Sequence, residues 1–214
     1  MLFGHYSAAF LAKAAEPRLP LWSLAIAVQF VDVLWAVCLI FGIEHLRIDA
    51  ALASNPLDLY DMPYTHSLVG ALGWAALAAA AAFAWRRSSF AALVVGAAVA
   101  SHWIADWFVH RPDLLLWSGS QKHGLALWNL PRVALALELT LLVASAGVWL
   151  RTRRVTGALR RRALRFVALL AAAQIGLTLA PPPVGPEGIA GLALVLFAAV
   201  AWGAWRVERR VPAT

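Results

Sequence analysis

Residues 101–110 read Ser-His-Trp-Ile-Ala-Asp-Trp-Phe-Val-His, a spacing that sets His102, Asp106 and His110 in a row on one face of an α-helix. Imidazole and carboxylate are the ligands of catalytic zinc and of related divalent-metal centres, in which three or more protein donors leave a position open for water. The segment is otherwise apolar enough to cross a membrane. In hydrocarbon a central charge costs roughly 2.5–3.5 kcal/mol on insertion scales, so an intramembrane cluster of ionisable groups points first to function.

Further donors precede this helix. Asp32 follows Gln29 by three residues on one helical face, His66 opens another apolar stretch, and His5 stands near the N-terminus. Counted along each helix at about 1.5 Å per residue, Asp32, His66, His102, Asp106 and the later Glu138 fall in the middle and outer half of the bilayer. His5, Asp32, His66, His102 and Asp106 are therefore the candidate metal ligands, and His110 and Gln29 are additional candidates. A carboxylate outside that set, Glu138 or Asp113, is the candidate proton acceptor. Arg111 and Arg132 are outer-side cations suited to an anionic group such as phosphate, although snorkelling at the interface explains such cations equally well. His45 and His123, in outer segments beside Glu44 and Lys122, read as wetted interfacial residues. The competing account is that Asp32, Asp106 and Glu138 are protonated or paired within the bundle and only lock helices together.

The elements that position these groups follow from hydropathy. The 214-residue chain is 62% hydrophobic and 14% charged, with mean hydropathy +0.73, which exceeds the apolar content of a soluble domain of this length. Six stretches approach the roughly 20 residues that cross about 30 Å of hydrocarbon: Leu21 to Gly42, His66 to Trp85, Ser89 to Val109, Leu130 to Leu150, Leu164 to Ala180 and Gly188 to Trp205. The first sixteen residues are apolar but short, and Pro17 and Pro20 end them, so they predict a short N-terminal membrane helix. The expected fold is an all-α polytopic transmembrane bundle in one domain, 1–214, with a motif-bearing half to residue 131 and scaffold helices over 132–214.

The net charge of +7 resides largely in Arg86-Arg87, Arg151 to Arg165 and Arg206 to Arg210, which flank apolar segments. Topology accounts for them as cytoplasmic loops and a cytoplasmic C-terminus, and no nucleic-acid partner is expected. The lone Cys38 excludes a disulfide framework and a Cys-based zinc site. Nine of the tryptophans, Trp35, Trp103 and Trp128 among them, fall mostly near predicted span ends, where indoles anchor the interface.

The order of the polar residues resembles the YdjM-like family of inner-membrane-associated, metal-dependent hydrolases. The matching elements are Gly4-His5, Asp32, Thr65-His66-Ser67 and Ser101-His102-Trp103-Ile104-Ala105-Asp106. Gln29-Phe30-Val31-Asp32 stands where that family shows a Pro-Asp-x-Asp element, so one acidic ligand is missing or replaced by Gln29 or Glu138, which counts against a two-metal site. The progression is also similar, more distantly, to that of zinc-dependent phospholipase C. These resemblances imply a zinc-dependent hydrolase in a bacterial inner membrane, with a lipid or phosphoester substrate. Three rivals stay open: a transporter or proton pathway, a b-type haem carrier using His66 and His102, and a non-catalytic assembly protein.

Overall fold

Pro17 and Pro20 divide the apolar N-terminal run, and the computed structural model shows the result. A 3-10 turn, Phe3–His5, leads into α1, Tyr6–Ala15, and the chain turns through the prolines into α2, Leu21–Val28, and α3, Phe30–Ile40. Helices α4, Leu68–Arg86, and α5, Ser89–Val109, form an antiparallel pair; α6, Pro131–Thr152, α7, Gly157–Leu179, and α8, Pro186–Glu208, complete an all-α bundle. The structure describes residues 2–52, 55–181 and 185–209. Arg210 and the centre of the Pro181–Glu187 loop lie outside the described residues.

Among the described residues, five helices, α4 to α8, are long and apolar enough to cross a membrane, and the pair α2 and α3 makes a sixth if it is one broken span. Their outer faces carry large apolar side chains such as Val69, Leu72, Leu77, Leu169 and Val195, each more than half exposed, as lipid-facing surfaces do. Small residues do the packing between α4 and α5. A Cβ at Gly96 would come within 3.1 Å of Ala79 Cβ, so the backbones approach to a distance that only small side chains allow.

Two expectations are corrected. The stretch from Leu21 to Gly42 is not one helix, because the axis bends by 54° at Gln29. Gln29 there donates Nε2–H to the Leu2 carbonyl at 3.0 Å, so tertiary contact with the N-terminal turn accompanies the break. The outer loops are also more regular than an all-helical reading supplied. β1, His45–Ile48, pairs antiparallel with β2, Leu57–Asp61, and β3, Leu114–Leu115, pairs with β4, Lys122–His123.

The short N-terminal helix is a core element. Phe3, Tyr6, Ala9 and Phe10 are buried in the main apolar cluster with Trp149, Phe166 and Val200. Its end is fixed by Lys13, whose Nζ lies 2.5 Å from Glu208 Oε1 on α8 and donates to the Pro17 and Leu19 carbonyls. Ser67 and Ser88 cap α4 and α5, each accepting a backbone N–H of the first turn.

Candidate metal centre

All five expected ligands meet in the interior, together with His110. His102 and Asp106 come from α5, Asp32 from the first turn of α3, His66 from the residues just before α4, and His5 from the N-terminal turn; each is buried. His102 Nε2 lies 3.1 Å from Asp106 Oδ2 and 3.3 Å from Asp32 Oδ1. His66 Nε2 lies 3.3 Å from Asp32 Oδ1 and 3.7 Å from Asp106 Oδ2. The other Asp106 oxygen faces His5 Nε2 at 3.1 Å and His110 Nε2 at 3.4 Å. The donors form two overlapping groups able to hold a metal ion, His66–His102–Asp106 and His5–Asp32–His102, which share His102.

The outward ring nitrogens decide what the inward ones can do. His102 Nδ1 lies 2.8 Å from the Val28 carbonyl, an oxygen at the end of α2 where the span breaks, and can only donate to it. His66 Nδ1 lies 2.8 Å from Thr65 Oγ1, while that hydroxyl gives its single proton to Glu44 Oε2 at 2.6 Å. His66 Nδ1–H must therefore be the donor. His110 Nδ1 donates to Asp113 Oδ1 at 2.9 Å. In all three rings the neutral tautomer leaves Nε2 with a bare lone pair turned toward carboxylate oxygens.

Bare ring nitrogens facing carboxylate oxygens in a dry interior repel unless a positive charge lies between them, either a metal ion or a proton on the ring. His102, 0% exposed, and His5 both keep a buried Nε2 without a hydrogen-bond partner. That donor set, two carboxylates with several imidazoles, could hold a metal ion, whose charge would balance Asp32 and Asp106. His110 lies just past the end of α5. Burial works to lower its pKa, but the neighbouring Asp106 and Asp113 carboxylates outweigh burial and hold it above the ordinary imidazole value.

A cavity of about 410 Å³ adjoins the centre. Asp32, His66, Asp106 and His110 line one end, and helices α6, α7 and α8 supply much of the remaining wall, so the half of the chain expected as scaffold also shapes the site. Glu138 lines this cavity, but its Oε2 accepts the Leu2 and Gly4 N–H groups at 3.4 and 3.3 Å. Asp113 stands behind His110 and orients it. Gln29 belongs to neither ligand group and holds the N-terminal turn instead.

The cations divide similarly. Arg111 donates to the carbonyls of Asn55 and Leu57 and to Asn129 Oδ1, tying the outer loops together. Arg132 is exposed and does not line the cavity. His45 pairs with Asp61 across the first hairpin at 2.7 Å, in keeping with an exposed interfacial role.

Four contributors escaped the sequence reading. Glu44, 1% exposed, also accepts the backbone N–H groups of Tyr64 and Thr65, both at 2.8 Å, and so locks the residues beside His66. The Trp128 ring lies 4.0 Å from that of His110, and Trp103 Nε1–H donates to the His66 carbonyl at 3.0 Å. Trp35 meets His66 edge-on. For these three tryptophans, interface anchoring is the wrong account, because their rings serve the site. Only the Thr-His pair carried a signal of this support, since a hydroxyl next to a histidine is a ready partner for Nδ1. Comparison with models of known families, with curated proteins and with solved structures gives no match.

Proposed function

We propose that the chain is a membrane-embedded, metal-dependent hydrolase acting on a lipid or phosphoester substrate at the outer half of a bacterial inner membrane. The observation that carries this reading is the His102 Nε2 atom, buried without a hydrogen bond between the Asp32 and Asp106 carboxylates. His66, His102 and Asp106 would hold the metal, with Asp32 and His5 beside it. A zinc ion there would supply Lewis acidity, lowering the pKa of water toward about 7 and polarising the scissile ester or phosphoester oxygen. His110 Nε2, on the cavity wall and backed by Asp113, could take the proton from that water and pass it to the departing group. The YdjM-like order of His5, Asp32, His66, His102 and Asp106 supports the same reading, and the arginine-flanked spans support a cytoplasmic C-terminus.

Metal analysis of protein purified without chelator tests the centre: wild type is expected to carry metal, and His102→Ala and Asp106→Ala to lose it. Full retention in both variants would refute the assignment. Hydrolysis of ester and phosphodiester lipids that a chelator abolishes and zinc restores is the activity expected.

One observation favours a second reading. A span broken beside buried carboxylates is a feature of transport pathways, and α2 and α3 form such a break. Metal-dependent solute or proton flux in proteoliposomes, with no turnover of any lipid ester, would select it. Haem ligation by His66 and His102 is disfavoured, since the Asp32 and Asp106 carboxylates lie 3.1–3.7 Å from both Nε2 atoms, where the iron and its porphyrin would sit.

A further inference from the structure

The cavity beside the metal centre is lined mostly by apolar side chains. Besides Asp32, His66, Asp106 and His110, its wall includes Leu135 of α6, Leu177 of α7, and Ile189, Leu192, Leu196 and Phe197 of α8, which form an apolar arm. The polar side chains that these helices add are already engaged: Glu138 Oε2 accepts the Leu2 and Gly4 N–H groups, Gln174 Oε1 accepts the Phe3 N–H at 3.1 Å, and Thr178 Oγ1 donates to the Gln174 carbonyl at 2.8 Å. A ligand filling the arm therefore finds apolar contact and few partners for hydrogen bonds.

The arm also reaches the outer surface. The buried residues of α7 are Ala163, Phe166, Val167 and Leu170, all before the last two turns, whereas α8 stays buried at Ile189, Ala190, Ala193 and Phe197 opposite those turns. Leu192 lines the cavity and is itself exposed, so the arm reaches the outer surface beside Leu179 and Val195, which are also exposed and apolar. In a bilayer that surface meets acyl chains. At about 410 Å³ the whole cavity lies toward the small end of ligand pockets, which run from roughly 300 to 1,000 Å³. That is room for one chain and a polar junction, with any second chain left outside.

We infer that the arm between α7 and α8 takes a single acyl chain of an ester or phosphoester lipid and presents the lipid's polar junction to His66, His102 and Asp106. The second half of this statement rests on the metal-hydrolase reading; the acyl site itself does not. Leu177, Leu192 and Leu196 grip the chain by apolar contact alone, so long chains bind and short ones do not.

A monoacyl phospholipid carrying a photoreactive diazirine near its chain terminus tests the site on the full-length protein in lipid nanodiscs. The label is expected in peptides of α7 and α8. Competition by an unlabelled long-chain monoacyl phospholipid, but not by its short-chain counterpart, should remove it. Leu192→Trp and, separately, Leu196→Trp should cut labelling by about tenfold or more, a loss near 1.4 kcal/mol. Leu77→Trp, on the exposed face of α4, should leave it unchanged. His102→Ala should keep the label, because the acyl site does not depend on the metal, while metal content of the same samples tests the metal reading, so the two failures are distinguishable. Label spread evenly over α4, α7 and α8, or labelling undiminished in both folded cavity variants, would reduce the contact to bulk lipid and overturn the inference.

Discussion

A histidine binds metal through a nitrogen that carries no proton, so the partner of its other nitrogen is part of the site. Here that partner is Val28 for His102, Thr65 for His66 and Asp113 for His110. The Glu44–Thr65–His66 chain yields the sharpest prediction. Thr65→Val removes the acceptor of His66 Nδ1–H and should weaken metal binding by roughly 10- to 100-fold, as losses of such supporting contacts do, whereas Thr65→Ser should restore it. Chelator competition on the two variants reads the difference. Glu44→Gln should fall between them, since its carbonyl oxygen can still accept one of the three donors. The sequence made His66 and its threonine visible because the two are adjacent. It hid Glu44, twenty-one positions before Thr65, because only the return of the hairpin β1–β2 brings that carboxylate back.

Each ligand is aimed by the end or the interruption of an element. Gln29 ends α2 and starts α3, and the break places the Val28 carbonyl against His102 while Asp32 enters from the following turn. Past α5, residues 124–126 fold back onto the helix end. Leu125 N–H donates to the Trp107 carbonyl at 2.8 Å and Ala126 N–H to that of His110 at 2.7 Å. Gly124, with φ +154°, makes this approach: an added Cβ would sit 2.2 Å from the Arg111 carbonyl oxygen and 2.6 Å from that of His110. Gly124→Ala should therefore cost about 2–3 kcal/mol, from overpacking and an unfavourable backbone angle together. Denaturation in detergent measures that loss, and displacement of His110 should accompany it as a fall in any hydrolytic rate. Apolar runs reveal that helices exist; they do not say where an apolar helix stops being straight, because both halves of the broken span have the same hydropathy.

At the scale of the whole molecule, the N-terminal helix joins the two halves of the chain. Glu138 and Gln174, on α6 and α7, accept backbone N–H groups of Leu2, Phe3 and Gly4, and Lys13 meets Glu208 on α8 at the opposite end. Glu208 Oε2 also accepts the Leu21 N–H at 2.5 Å. Lys13→Met leaves this carboxylate without its buried cation and should lower stability by about 3 kcal/mol, the typical cost of breaking a buried pair from one side. Thermal unfolding in detergent checks it, and Lys13→Arg should recover part of the loss. His5→Ala should keep the fold, because the backbone of the turn is held independently of the ring. It should weaken metal binding less than His102→Ala does, since His5 enters one ligand group and His102 both.

The sequence by itself determined the class of the molecule and the chemistry of its donors. Long apolar segments must form helices wherever water cannot satisfy the backbone, and the i, i+4 spacing of His102 and Asp106 survives any packing of those helices. The same pattern singled out Asp32, His66 and His5, because ionisable groups stand out in apolar runs. Tertiary structure alone decided which of them touch, which ring nitrogens point inward, and that Glu138 and Asp113 hold other residues in position. It also decided that α6, α7 and α8 wall much of a largely apolar cavity beside the cluster, since no residue in those helices carries a local signal of the space between them. Distances between helices depend on side chains far apart in the chain, and a pattern read along one strand of sequence contains no record of them.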